Sequence, residues 1–304
     1  MNAGFIIVNK PRGVTSFSMV ALLRRITGVR RIGHAGTLDP LASGVLPIAV
    51  GTATRLIEYM DDAPKVYVAG IRFGIATDTF DADGDVTRAV DTSDLTRERV
   101  LDALAEFVGE IDQVPPLYSA IKLAGKPLYR YAREGTEVPL EPRRVRIDSI
   151  ELTSFDGETA EIRVQCRKGT YIRSLAHDLG ERLECGAHLA ALVRTHSAGF
   201  SIEDAHTPDQ LGALEAEGAF EHAMLAPDRA VERRPVAILA EDRVRAMVTG
   251  NDIIIEGGRG AAICRAYDLS GGFVGMLRES GSDLWHPEKV FITAQIAPDR
   301  AVFP

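Results

Sequence analysis

The chain has 304 residues, 45% of them hydrophobic, and a formal net charge of −8. With a mean hydropathy of −0.01 it can bury one large core and a small second one, and no apolar run approaches the roughly 20 residues of a membrane-spanning helix. Three scattered cysteines, Cys166, Cys185 and Cys264, contain no Cys-x-x-Cys pair, which argues against structural zinc and a disulfide framework. They fit a reducing cytoplasm. The apolar patch Phe5 to Val8 has no positive leader before it and no cleavage-type site, so no signal peptide is expected.

Along the chain, Thr15 or Ser16 caps a predicted helix with apolar Phe17, Val20, Ala21, Leu22 and Leu23, closed by Gly28. Asp39 followed by Pro40, taken alone, reads as a second helix start, with Asp as N-cap and Pro at the first helical position. Val66 to Phe73 is β-rich and carries Tyr67 on one face. Val100, Leu101, Leu104, Phe107 and Val108 repeat at helical spacing and stop at Gly109. Ala160, Ile162, Val164 and Cys166 alternate with Glu161, Arg163, Gln165 and Arg167, a half-buried strand. Tyr171 and Arg173 then fall at a strand-to-helix junction, with Leu175, Leu179 and Leu183 along the helix. Residues 203–232 read as helical and acidic, and Gly-rich turns after Pro235 mark a small, mostly β unit. Strands and helices mix without regular βαβ alternation, which predicts an α+β fold.

The charge is unevenly spread. No Asp or Glu precedes Asp39, while Lys10, Arg12, Arg24, Arg25, Arg30 and Arg31 do. Residues 118–146 hold seven Lys/Arg against three acids, and residues 203–256 hold twelve acids against five Arg. Affinity for a polyanion follows the local field rather than the total. A lone carboxylate at the inner end of a cationic segment suits a site in which positive charge draws in phosphate and the carboxylate reacts. No phosphate loop, nucleophile elbow or zinc-deaminase signature is present. The run Asp81 to Asp85 fails as a calcium loop, because its first and twelfth positions would be Thr79 and Val90.

The string Gly33-His34-x-Gly36-x-Leu38-Asp39-Pro40, running on to Gly44-Val45-Leu46-Pro47, resembles the catalytic motif of the TruB family of tRNA pseudouridine synthases, whose aspartate is essential. Asn9-Lys10-Pro11-x-Gly13 with Ser16 is similar to the family's Lys-Pro motif, with Asn9 where Asp is usual and, further on, Ala35 where Thr or Ser is more frequent. Lys65-x-Tyr67 resembles the active-site tyrosine segment, and Thr77-Asp78-Thr79-x-Asp81-Ala82-Asp83-Gly84 the acidic loop after it. Pro115-Pro116-x-Tyr118-Ser119-Ala120-x-Lys122 and Tyr129-x-x-Ala132-Arg133-x-Gly135 resemble an RNA-gripping insertion, here about residues 117–144. Lys168-Gly169-Thr170-Tyr171-Ile172-Arg173, with Leu192-x-Arg194, resembles the last catalytic motifs, so the likeness covers roughly residues 5–200. It implies a catalytic domain over 1–232, with a mixed, mainly antiparallel sheet flanked by helices, and a PUA-like RNA-binding domain over 233–304.

The resemblance also implies roles. Asp39 is the catalytic carboxylate, Arg173 the guanidinium that keeps it ionised, and Tyr67 the ring that stacks on a flipped uracil. His34 fills the gap left by the extruded base, and Tyr171 packs on Tyr67 or the ribose. Lys10 and Leu192 complete the substrate site, while Lys122, Arg133 and Arg143 contact phosphates. The implied reaction turns the T-arm uridine at position 55 of tRNA into pseudouridine with no metal or other cofactor. The expected setting is cytoplasmic and monomeric, with tRNA as partner and neither membrane nor protein partner required. The alternative is a tRNA-binding or tRNA-folding protein in which catalysis is secondary. A guide-RNA-dependent synthase is a third reading, disfavoured by the long 117–143 segment.

Overall fold

A computed structural model of the chain describes residues 3–60, 63–119, 122–123, 125–134, 136, 138–256, 261–281 and 283–291. Strand β1 (Ala3–Lys10) leads into helix α1 (Ser16–Thr27), followed by β2 (Ile32–His34), β3 (Ala42–Gly51) and β4 (Lys65–Phe73). A hairpin of β5 (Ile75–Thr77) and β6 (Val86–Ala89) precedes α2 (Arg97–Ala105) and β7 (Gly109–Gln113). The insertion carries β8 (Lys122–Leu123), β9 (Lys126–Pro127) and α3 (Leu128–Arg133). Then come β10 (Arg143–Phe155), β11 (Thr159–Cys166), α4 (Ile172–Arg182), β12 (Ala187–Ser197), β13 (Phe200–Ser201) and α5 (Pro208–Ala216). Among the described residues the main sheet has nine strands, in the order β1-β3-β12-β4-β11-β10-β7, with β2 on β3 and β13 on β12. Every pairing in it is antiparallel except β3 with β12, so the mixed, mainly antiparallel α+β architecture holds.

The sequence pattern of each strand follows from which of its faces are covered. In β1, Ile6 and Val8 join the core under α1, α2 and α4, while Phe5 and Ile7 join a second cluster with Val45, Ala49, Phe200 and Met276. A strand covered on both faces reads as an unbroken apolar run. β11 is covered on one side only: Ala160, Ile162, Val164 and Cys166 are buried, and Glu161 and Arg163 are exposed. Hence its strict alternation. The outer edge of β1 is closed by loops, since Phe5 and Leu225 exchange backbone hydrogen bonds at 2.9 and 2.8 Å and His206 donates to Ile7 at 2.8 Å.

The helix start that Asp39-Pro40 suggests out of context is absent, as the motif reading requires; the Asp39 carbonyl accepts from Ala42 N–H at 3.1 Å, closing a turn that feeds β3. Two sequence expectations change. The helix read from Val100 to Val108 spans Arg97–Ala105 and stops short of Phe107, and Gly109, at φ 107°, opens β7. Residues 203–232 contain one α-helix, α5, and otherwise short 3-10 turns at Ile202–Asp204, Phe220–Ala223 and Pro227–Val231. Pro227 and the edge pairing to β1 prevent a longer helix.

The C-terminal unit is a five-stranded sheet, β14 (Val236–Leu239), β15 (Ile253–Ile254), β16 (Ile263–Asp268), β17 (Phe273–Gly281) and β18 (Leu284–Val290), with α6 (Glu241–Val248) against it. Its core gathers Leu239, Val244, Met247, Val274, Leu277 and Trp285. It docks on the large unit through Arg55 to the Val290 carbonyl at 2.8 Å, the Lys289–Glu58 pair at 3.2 Å and Tyr267 to Asp228 at 2.7 Å. Among the described residues no helix is long and apolar enough to cross a membrane.

Candidate active site

The loop between β2 and β3 presents Asp39, and it is pinned from three sides. Ser16 Oγ, at the start of α1, donates to the Leu38 carbonyl at 3.0 Å and accepts from Leu38 N–H at 2.8 Å. Gly13 N–H donates to the Pro40 carbonyl at 2.7 Å. Arg194 on β12, fully buried, donates through Nε to the Val45 carbonyl at 2.8 Å and through its Nη atoms to Gly36 and Thr37 at 3.2 and 3.4 Å. A buried guanidinium needs that many acceptors. Gly36 turns the loop at φ 93°, a conformation side chains disfavour.

Arg173 lies in the first turn of α4 and is 5% exposed. Its Nη2 sits 2.9 Å from Asp39 Oδ2, and its Nη1 3.4 Å from Asp81 Oδ2. Nη2 also donates to the Tyr118 carbonyl at 2.8 Å. Asp81 is itself buried and accepts from the Thr79 hydroxyl at 2.6 Å and the Asp83 N–H at 3.1 Å. Gln113, on β7, clamps the entry to α4: its amide accepts from Tyr171 N–H at 2.8 Å and donates to the Tyr171 carbonyl at 3.0 Å. Burial pushes the Asp39 carboxyl above its ordinary value; Arg173 opposes this and Asp81 reinforces it. Arg173 therefore moderates the effect of burial instead of overriding it. The Asp39 side chain keeps 40% of its surface open, towards the cleft.

That cleft holds about 260 Å³ and is lined by Asp39, Lys65, Tyr67, Tyr171, Arg173 and Leu192, with Leu38, Ser119 and Gly169 among the other walls. Five of the expected residues, Asp39, Tyr67, Tyr171, Arg173 and Leu192, thus converge. Burial raises the Tyr67 phenol well above its usual value, with Arg194 opposing, so the ring is a neutral surface rather than a base. Tyr171 is raised by burial too. The others stand elsewhere. Lys10 is fully buried and absent from the cleft wall; its Nζ donates to the Pro11 and Val14 carbonyls at 2.9 and 2.8 Å. Desolvation lowers its pKa to about 8 despite Asp39 nearby. A lysine so engaged braces the loop and does not grip phosphate. His34 is half-buried on β2, off the cleft wall, and burial and Arg194 keep its imidazole neutral. Arg143 is exposed at the start of β10, close enough to Tyr171 to act on its phenol. The side chains of Lys122 and Arg133 lie outside the described residues.

Sequence reasoning missed Asp81, Gln113 and the anchoring role of Arg194. Arg194 had a signal, a lone cation closing the apolar run Leu189 to Val193. Gln113 had none, because its partner lies 58 residues away. Among the described residues no three His, Cys, Asp or Glu side chains converge as a metal set.

The family model described as TruB family pseudouridylate synthase (N terminal domain) matches residues 24–172, and the tRNA pseudouridylate synthase B C-terminal domain matches 173–232. A tRNA pseudouridine synthase B of Dehalococcoides mccartyi is 39% identical over 296 residues, covering 97% of this chain and 99% of its own. That of Symbiobacterium thermophilum is 51% identical over 216 residues, 70% of this chain and 72% of its own. An H/ACA ribonucleoprotein bound to a substrate RNA containing 2′-deoxyuridine superposes with TM-score 0.74 at 27% identity, over 97% of this chain and 87% of that one. The archaeal box H/ACA Nop10–Cbf5 complex gives TM-score 0.74 at 28% identity, over 97% and 88%. With family models matching residues 24–172 and 173–232 and a relative 39% identical over 97% of the chain, the chain belongs to the TruB family of pseudouridylate synthases.

Proposed function

We propose that this chain isomerises the T-arm uridine at position 55 of tRNA to pseudouridine, as a single polypeptide in the cytoplasm, without guide RNA, protein partner or cofactor. The observation that carries the reading is the Asp39 carboxylate, 2.9 Å from a buried Arg173, on the wall of a cleft that also contains Tyr67. The reaction breaks the bond from ribose C1′ to uracil N1, turns the base, and joins C1′ to C5. The proton lost at C5 is matched by one gained at N1, so nothing is oxidised and no energy input is needed. The site must hold one base, exclude water and offer one negative charge to the sugar. Asp39 offers that charge, Tyr67 and Leu192 hold the base, and Arg173 fixes the carboxylate oxygens. One carboxylate suffices, unlike the acid/base pair of a glycosidase.

Residues 1–232 act as the catalytic domain and 233–304 as a PUA-like RNA-binding domain. Arg143, at the rim beside Tyr171, and the basic residues Lys122 and Arg133 of the insertion supply phosphate contacts. His34 occupies the space that the extruded base leaves. Flipping a base costs a few kcal/mol of unstacking, least where the loop already strains it. An isolated T-arm stem-loop is therefore expected to react, and the same uridine in an unstructured strand far more slowly. Single-turnover rates on the two RNAs, with pseudouridine mapped by a base-specific chemical label, test this. Equal rates, or a label elsewhere than position 55, would overturn it.

A further inference from the structure

We propose that the outer face of α1, with Arg12 before it and Arg30 and Arg31 after it, is a second RNA-binding surface that holds the strand flanking the reacting uridine. This rests on the synthase reading above. Helix α1 buries Met19, Val20 and Leu23. Its exposed stripe is Phe17, Ala21, Arg24, Arg25 and Gly28, spaced so that all five share one face. Phe17 is 63% exposed, which no core requirement explains. The Arg24 guanidinium lies over its ring, 5.8 Å from the centroid, and Arg24 also donates to the Ile32 carbonyl at 3.3 Å. The pair is thus held as a cationic and aromatic platform, the combination that single-stranded nucleic acid stacks on.

The charges of this surface stand in a segment with no Asp or Glu before Asp39. Several arginines elsewhere, among them Arg72, Arg146, Arg182, Arg229 and Arg278, pair with carboxylates. Among the described residues Arg12, Arg24, Arg25, Arg30 and Arg31 have no ion-pair partner. In a chain of net charge −8, five unpaired arginines around one helix are complementary to a polyanion and to little else.

The position fits as well. Ser16, at the first turn, holds Leu38 next to Asp39, so the stripe begins beside the cleft and extends about 16 Å along the helix, at 1.5 Å per residue. Helix α1 belongs to the β1–β3 end of the sheet, whereas the insertion joins β7 and β10 at the other end. Tyr67, on β4, stands between them. An RNA that places its base on Tyr67 therefore meets cationic surface on both flanks.

The test is the dissociation constant of a transcribed T-arm stem-loop over a salt series, for the unaltered chain, Arg24→Ala with Arg25→Ala, and Phe17→Ala. All three side chains are exposed, and unchanged thermal unfolding verifies the fold. The double variant should flatten the slope of log affinity against log salt by about 1.4–1.8, at roughly 0.7–0.9 per lost phosphate contact. Phe17→Ala should weaken stem-loop binding by about fivefold or more, near the lower end for a base stack, while sparing a blunt duplex. Unchanged slope and unchanged affinity would overturn the proposal and leave the face to an acidic protein partner. Pseudouridine formation by the unaltered chain, followed in parallel, judges the synthase reading separately: product formed with the slope and affinity unchanged in the variants refutes this surface alone.

Discussion

Asp39 sits between a buried cation and a buried anion, and its chemistry depends on the balance. Burial raises its pKa, Arg173 opposes this, and Asp81 adds to it. The reacting form is the ionised one, which is populated only above the pKa. Activity should therefore fall on acidification at a higher pH than an ordinary carboxylate, near 3.9, would give. Arg173→Met should move that acid limb further up, because the opposing cation is lost. Asp81→Asn should move it down, because a like charge is removed. The pH dependence of single-turnover rates reads both shifts, and shifts of reversed sign would contradict the assignment. At this scale the sequence was legible where a motif was local. Asp39, Tyr67, Tyr171, Arg173 and Leu192 meet at one cleft as expected. Lys10 was placed in the substrate site by its motif, and only packing shows that its ammonium faces the Pro11 and Val14 carbonyls. Asp81 sits in a run that resembles a calcium loop and fails its spacing; its role depends on Arg173, 92 positions later, which spacing does not reveal.

The elements that hold the site are β3 and β12, the single parallel pair of the main sheet among the described residues. Gly44 faces Arg194 in that pairing, at φ 102°. A Cβ there would lie 2.3 Å from the Arg194 carbonyl oxygen and 2.9 Å from its nitrogen. Gly44→Ala should push β12 away and draw Arg194 off the Gly36 and Thr37 carbonyls. The expected loss of stability is about 2–4 kcal/mol from overpacking and backbone strain. Turnover should fall more than RNA affinity, since the catalytic loop loses its anchor while the cationic surfaces stay. Thermal unfolding with parallel rate and binding measurements checks this; unfolding and rate both unchanged would contradict it. Strands were legible where one face is covered, as in β11, because burial then imposes period two. Residues 203–232 were misread because acidic composition imitates a helix, whereas the chain is shaped by pairing with the edge of β1. Helix α6 went unseen: its buried Val244 and Met247 are too few to show a period.

For the whole molecule, net charge and RNA binding are reconciled by geography. Acids concentrate in residues 203–256, while the N-terminal segment and the insertion flanks are basic. The α+β class and the β-rich C-terminal unit were legible in pattern and turns. Their docking was not, because the shared cluster of Phe5, Phe200 and Met276 joins residues with no common motif. The central claim is a division of labour, in which cationic surfaces bind and one carboxylate reacts. The most direct test compares the unaltered chain with Asp39→Asn on a tRNA transcript, following both single-turnover pseudouridine formation and RNA affinity. Asp39 adds nothing to phosphate attraction, so affinity should stay within about threefold while product formation is abolished. Retained turnover in Asp39→Asn would contradict the account.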